Sequence, residues 1–425
     1  MPKIKVLIIG CGVAGPVLAH FLKRKGYVPI VFEKVSKLGD AGASLMLMPN
    51  GLKVLGLVGI LDDIRRDSID LEALIDTTSS GEVLGMSDIP TTFEQKYGTP
   101  GLGVKRTELN LKLKGMVQDL GVDVREGWEL EGIDETEESV TAHFRGRESV
   151  TGSFLIGCDG IKAASRSVLL AKRALQEGLP EFTGLTQTAG LSPTPPALQS
   201  LPALRNWYGS GVHVISYPVS STITSWAVTL PEGSGQEAAW GLCSAAEIEE
   251  RKRTLVEHVN SWTDEVPAQL IRGATRIIKF GIYDREEMAP EQWYSQRCVL
   301  VGDAAHPTSP HLGQGANQAL EDCFILSHAL PYLDASDSAE YARGLSKLGA
   351  AALTATFEEY AQKRQPRTAA LVKGARSQGQ QRVVTTGPED CRNRDERVRA
   401  AWADSEAVRI KYDTLLSGPF QHPLQ

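Results

Sequence analysis

Six residues, GCGVAG at 10–15, constrain the fold of this chain more than any other stretch. They follow a short apolar run, KIKVLII at 3–9, and lead into VLAHFLKRKG, whose apolar positions recur at helical spacing until Gly26. YVPIVFEK then reads as a second strand ending at Glu33. Strand, glycine turn, helix and strand within about thirty residues predict a βαβ unit with parallel pairing and a right-handed crossover. Each glycine has its own physical task. Gly10 permits the tight turn, Gly12 lets a pyrophosphate approach the backbone, and Gly15 allows close helix packing. The helix start offers unpaired N–H groups and a partial positive charge to phosphates. Glu33, eighteen residues after Gly15, is placed to accept hydrogen bonds from adenosine ribose hydroxyls. Two look-alikes, GLGVKR at 101 and GQGANQ at 313, lack the final glycine. The first motif leaves NAD and FAD both open.

At 425 residues the chain exceeds what one hydrophobic core serves, so two domains are expected. The net charge of -7 is spread over both halves, which argues against nucleic acid as a partner. Six cysteines stand far apart with no CxxC pair, which argues against a zinc module or a disulfide framework and reads as reduced core thiols. MPKIKVLIIG has too short an apolar run for a signal peptide or a membrane span. The expectation is a soluble cytoplasmic protein, monomer or homodimer, without membrane insertion.

Further along, residues 68–100 change to short β-like runs, 104–121 reads as an amphipathic helix, and 128–157 alternates like a meander returning to a buried strand. Proline, serine and threonine concentrate in 173–274, where alternation around 212–219 and 222–230 predicts an antiparallel sheet. Two more motifs follow apolar strands: GCDGIKAASR at 157–166 and VGDAAHPTSPHLGQGANQALEDC at 301–323. In the second, Asp303, His306 and His311 lie within nine residues, yet two prolines separate them and no fourth ligand or helical register brings them together. No metal is expected. A helix starting near Gly315 presents donors and a positive dipole end instead, suited to a negatively charged group.

The N-terminal GxGxxG, the middle DG and the C-terminal GD, in that order, resemble the single-component FAD-dependent aromatic monooxygenases typified by para-hydroxybenzoate and salicylate hydroxylases. The resemblance covers roughly residues 3–370. It implies that Gly10, Gly12, Gly15 and Glu33 hold the adenosine and pyrophosphate of FAD, and that Arg106 approaches its phosphates or ribityl chain. Asp159 and Gly160 match the DG motif, although Ala163 stands where the family usually has Ser. Gly302 and Asp303 match the GD motif, and Pro310, Gly313, Gln314, Gly315, Ala316 and Asn317 match the run beside the isoalloxazine ring. HVISYP at 213–218 resembles the strand under the substrate pocket, so Tyr217, His213 and Gln187 are the catalytic candidates, with Trp226 beside them. On alternating strands His213 and Trp226 read equally well as core.

The fold implied is α/β: a Rossmann-like FAD-binding domain with a parallel sheet, interleaved with an antiparallel-sheet substrate domain and a helical C-terminal region. The division is FAD-binding 1–70, 101–172 and 275–365, substrate excursion 71–100, substrate domain 173–274, and helical region 366–425. The reaction implied uses NAD(P)H as transient reductant and O2 as co-substrate, forms a C4a-hydroperoxyflavin, and hydroxylates or epoxidises an electron-rich aromatic or polycyclic small molecule of secondary metabolism. The strand holding TGLTQTAGL carries no Arg, unlike some relatives, which argues against a carboxylate recognised there. Halogenases of this fold would need a WxWxIP motif, and Baeyer–Villiger enzymes a second full fingerprint; neither is present. The alternative is a flavin-dependent dehydrogenase or reductase that does not activate oxygen.

Overall fold

The computed structural model describes residues 3–39, 42–175, 177–178, 180–233, 241–333 and 336–418. Pro419 and Phe420, the end of the C-terminal RIKYDTLLSGPF run, lie outside them. The apolar run Lys5–Ile9 forms the centre of an all-parallel five-stranded sheet in the order Cys298–Leu300, Phe154–Gly157, Lys5–Ile9, Val28–Glu33, Asp123–Glu126. Val6, Leu7 and Ile8 are fully buried because the helix Ala14–Arg24 packs on one face and the antiparallel strands Leu130–Glu135, Val140–Phe144 and Val150–Gly152 on the other, which is why these strands read as unbroken apolar runs. The helix Ala14–Arg24 makes the first crossover, as the sequence predicts.

The second layer is an eight-stranded sheet. Its centre is the long strand Glu181–Pro193, flanked by Ile223–Pro231 on one side and Arg276–Asp284 on the other. His213–Pro218 and Ala203–Tyr208 extend it antiparallel, and Ala203–Tyr208 then joins Ala73–Thr78 in parallel before Val83–Ser87 ends the row. Strand alternation splits the side chains between two faces. Trp207, Val214, Trp226, Val228 and Ile277 enter an apolar cluster with the helices Ala245–Glu257 and Val266–Arg272. Gln187, Ala189, Ile215, Tyr217, Ser225, Ala227, Ile278 and Phe280 face the other way, into a cavity. Arg276–Asp284 belongs to this sheet, although the division at 274/275 gives it to the cofactor portion. Its place is fixed by hydrogen bonds to a strand about ninety residues earlier, which no local pattern reports.

The C-terminal region is helical: Ala350–Arg382, then the pair Pro388–Ala403 and Ser405–Leu416. Thirty-three residues make the first about 50 Å long. Pro388–Ala403 docks on the outer strands of the large sheet, where Arg394 Nη1 donates to the Gly209 carbonyl at 2.7 Å, and Ser405–Leu416 meets the helix Phe93–Tyr97, where Lys96 and Tyr97 both bond Asp413. Among the described residues no helix is long and apolar enough to cross a membrane.

Candidate active site

One cavity of about 1240 Å³ runs from the glycine turn, past the 301–316 loop, to the exposed face of the large sheet and the C-terminal helices. That exceeds the roughly 300–1,000 Å³ of a pocket for one drug-sized ligand and leaves room for a dinucleotide and a substrate.

The turn is built as its glycines require. Gly10 has φ +104°, and a Cβ there would lie 2.3 Å from the Cys158 carbonyl oxygen. A Cβ on Gly15 would lie 2.0 Å from the Gly10 carbonyl oxygen, whereas one on Gly12 meets nothing within 4 Å among the described residues. Two glycines therefore serve the fold, and the third keeps the backbone bare toward the cavity. The helix that follows has no side-chain cap on its first N–H groups. Glu33 lines the same end, and its carboxylate accepts from Cys11 N at 2.8 Å and Val35 N at 3.1 Å, which fixes the turn against the strand end. Arg106 opens the helix Arg106–Asp119 and lines the cavity beside Gly42.

Asp159 and Gly160 line the middle of the cavity. The Asp159 carboxylate accepts from Ser165 N at 3.0 Å and Ser165 Oγ at 2.5 Å, so Ser165 supplies a hydroxyl near the position where Ala163 lacks one. Burial raises the Asp159 pKa against these hydrogen bonds. Burial likewise raises that of Asp303, opposed by His306 and Arg106. Asp303 thus faces the cavity as a carboxyl group that gains from a hydroxyl donor.

Behind this loop lies a buried ionic network. Asp322 accepts from Gly302 N at 2.8 Å, His306 Nε2 at 2.6 Å and Arg364 Nε at 2.6 Å. Burial alone would raise its pKa, yet His306 and Arg364 outweigh it and hold the carboxyl down to about 2. His306 is a structural residue of the turn, and among the described residues no three His, Cys, Asp or Glu side chains are grouped to hold a metal ion.

Two residues of the ring-side run face away from the cavity. Gln314 Oε1 accepts from Asn50 Nδ2 at 3.0 Å. Asn317 donates to the carbonyls of Gly313 and Met46 and accepts from Met48 N at 3.0 Å. Both are 1% exposed or less, so as side chains they lock the loop to the 44–50 segment; Pro310, Gly313, Gly315 and Ala316 are the members that line the cavity. In a turn with Gly313 at φ +61°, adjacent side chains leave in opposing directions, and sequence spacing cannot report which.

At the substrate end Tyr217 Oη is 2.7 Å from Ser44 Oγ, and Ser44 Oγ is 2.5 Å from Ser225 Oγ. Burial raises the Tyr217 pKa despite these partners, so the phenol stays protonated at neutral pH. Gln187 lines the cavity and donates to Thr229 Oγ1 at 3.2 Å. His213 is a correction: it lies behind Asn206, bonded to Asn206 Oδ1 at 3.1 Å, and is not on the cavity wall. Burial, then Arg382, drives its pKa well down, which keeps it neutral. Trp226 borders the cavity, but its indole sits in the opposite-face cluster with Nε1 donating to Ser192 Oγ at 2.7 Å.

Sequence reasoning missed Ser44, Asp76, Asn206, Tyr208, Arg382, Trp402 and Lys411, all on the cavity wall. The C-terminal helices close this end of the cavity. Their only sequence signal is the paired Arg and Trp content of a helix too polar for ordinary core duty.

A comparison with known proteins agrees with the geometry. The profile of the FAD binding domain family matches residues 3–375. The chain is 30% identical over 410 residues to the 3-amino-4-hydroxybenzoate 2-monooxygenase of Streptomyces cremeus, covering 93% of this chain and 92% of that one. It is 27% identical to the 3-hydroxybenzoate 6-hydroxylase of Klebsiella oxytoca, covering 89% of each. The fold matches the crystal structure of Klebsiella pneumoniae HpxO complexed with FAD and uric acid with a TM-score of 0.80, at 24% identity, over 98% of this chain and 97% of that one. With the glycine turn, the DG and GD loops and the cavity between them already fitted to a dinucleotide, the match over most of the chain places this protein in the FAD binding domain family.

Proposed function

We propose that this protein is an FAD-dependent, NAD(P)H- and O2-consuming monooxygenase that hydroxylates or epoxidises an electron-rich aromatic small molecule. One observation carries the reading: a single cavity joins the dinucleotide cradle to an apolar chamber under the large sheet, lined by Leu74, Leu204, Ile215, Tyr217 and Phe280. The names of the relatives, aromatic-acid monooxygenases and hydroxylases, support it.

Bound FAD would supply the redox chemistry, passing two electrons from NAD(P)H to O2 so that one oxygen atom enters the substrate and the other leaves as water. The chain does the rest. Gly10, Gly12, Gly15, Glu33 and Arg106 bind the adenosine and phosphates; Asp159, Gly160, Gly302 and Asp303 take the middle; and Pro310, Gly313, Gly315 and Ala316 set the backbone beside the ring. The Gly315–Ala329 helix starts there, its dipole favouring negative charge at the ring. Ser309 and His311 border the cavity, with Ser309 Oγ and His311 Nδ1 buried and without a hydrogen-bond partner among the described residues. Tyr217, Ser44 and Ser225 form a hydroxyl string that orients a substrate hydroxyl as a neutral partner rather than as a base. Apolar walls exclude the water that would release peroxide. We assign residues 1–70, 101–172 and 285–365 to the cofactor portion and 71–100 with 173–284 to the substrate portion.

The test is turnover of the FAD-loaded protein with NADH or NADPH, aromatic acids and isotopically labelled dioxygen. One labelled oxygen per product is expected, and Tyr217→Phe should lower product formed per NAD(P)H consumed about tenfold while FAD stays bound. Product formed without oxygen uptake would replace this reading by the dehydrogenase one.

A further inference from the structure

The far end of the cavity differs in charge from its apolar middle. Four basic side chains, Arg382, Arg394, Arg397 and Lys411, and two acidic ones, Asp76 and Asp404, line it. Some of these charges are engaged. Arg394 donates to the Gly209 carbonyl and to Asp395, and Asp404 caps Ala407 N at 2.9 Å. Both Asp76 oxygens are taken by neutral donors, Asn206 Nδ2 at 2.7 Å and Trp402 Nε1 at 2.8 Å.

Three cations remain. Arg397 is exposed, with no hydrogen bond or ion pair among the described residues. Arg382 gives Nη1 to the His311 carbonyl at 2.8 Å, meets the Tyr208 hydroxyl and keeps Nε buried. Lys411 projects into the cavity, where its amine makes no hydrogen bond or ion pair with the described residues. Lys411 is exposed to that open space, with its ammonium 5.9 Å from the centre of the Tyr412 ring and within the fields of Asp76 and Arg382. An ammonium without an ion pair on a cavity wall gains a charge-assisted partner from an arriving anion.

Resting on the monooxygenase reading, we propose that Lys411, on the basic wall it shares with Arg382 and Arg397, is the subsite that recognises a carboxylate on the aromatic substrate, holding the acid group against the C-terminal helices and the ring toward the flavin. The strand holding TGLTQTAGL has no Arg because the charge-reading residues come from the other side of the chamber, more than two hundred residues later. Lys411 is thereby a specificity residue, and the C-terminal helix pair is part of the binding site.

The experiment titrates FAD-loaded protein with 3-amino-4-hydroxybenzoate, 4-hydroxybenzoate and salicylate, each against its own carboxamide, reading the perturbation of the flavin absorbance without turnover. In the wild type at least one acid binds about tenfold or more tightly than its amide. Lys411→Met brings that ratio to about one by weakening the acid alone, and Lys411→Arg keeps most of it. FAD affinity and thermal unfolding equal to wild type show that the variants fold. Amides binding as well as acids in the wild type, no acid binding at millimolar concentration, or an unchanged ratio in Lys411→Met would each overturn the proposal. Binding is read in the resting protein, so failure to incorporate oxygen would sink the reaction and leave the subsite standing.

Discussion

The two ends of the cavity are made in different ways. The cofactor end comes from three strand-to-turn junctions at the carboxyl edge of one parallel sheet, whose functional residues fall within the runs 10–15, 159–160 and 302–316. The substrate end draws Ser44, Asp76, Asn206, Tyr217, Arg382 and Lys411 from six separate elements and segments spread over most of the chain. At the first end backbone stereochemistry decides; at the second, tertiary packing does. The first therefore tolerates little change, while the second can be rebuilt for another substrate on the same scaffold.

The sharpest way to break this contrast is to substitute within the glycine turn. Gly10→Ala puts a Cβ 2.3 Å from a backbone oxygen at a φ of +104°, where neither atom can yield. We expect a loss of about 4 kcal/mol or more and little soluble, FAD-binding protein. Gly12→Ala meets nothing within 4 Å, so its stability should stay within about 0.5 kcal/mol of wild type while FAD affinity falls about tenfold or more. Denaturant unfolding without cofactor and FAD titration separate the two effects. Equal destabilisation by both would show that Gly12 serves the fold and not the phosphates.

The same contrast explains what the sequence makes legible. The parallel sheet, the crossover helix, the antiparallel sheet and the first glycine turn follow from apolar period and glycine placement within short windows, whereas the DG and GD loops needed the resemblance. Tyr217 and Gln187 come from that resemblance as well, and strand alternation agrees with Tyr217 sharing a face with Ile215. His213 obeys that alternation and still misses the wall, since Asn206 from the paired strand stands in front of it. Gln314 and Asn317 sit in the right loop and point away from the ligand, which only the positive-φ turn at Gly313 decides. Lys411 and Arg382 carry no local pattern at all, for their meaning arises where the C-terminal helices dock.

Acid should weaken the loop where the two ends meet. His311 is 5% exposed, and burial with the nearby Arg382 lowers its pKa from 6.5 to about 3; His213 is lowered as well. Between pH 6.5 and about 3 the unfolded chain holds the proton that folded His311 refuses, so its contribution is full above 6.5 and falls as the pH drops through that window. The loss reaches about 3 kcal/mol by pH 4. Asp322, held down to about 2, is still ionised there, and the raised Asp303 and Asp159 work in the opposite sense. Urea unfolding from pH 7 to pH 4 should show a falling stability whose slope His311→Gln reduces. A slope that the substitution leaves unchanged would move the acid sensitivity elsewhere.

The smallest expected effect tests whether the C-terminal helices are held separately from the core. Trp402 covers Gly85, where a Cβ would lie 2.0 Å from the indole, and donates from Nε1 to Asp76 Oδ2 at 2.8 Å. Trp402→Phe keeps an aromatic ring over Gly85 and removes the donor. Asp76 retains Asn206 and borders the cavity, so water can replace the lost partner, and the cost stays near about 1 kcal/mol. Amide exchange in Pro388–Ala403 should quicken about fivefold while Ala14–Arg24 is unaffected, because a local opening samples only the contacts it breaks. If both helices quicken together, the two ends open as one cooperative unit, and the substrate end is then no more separable from the flavin cradle than the glycine turn is.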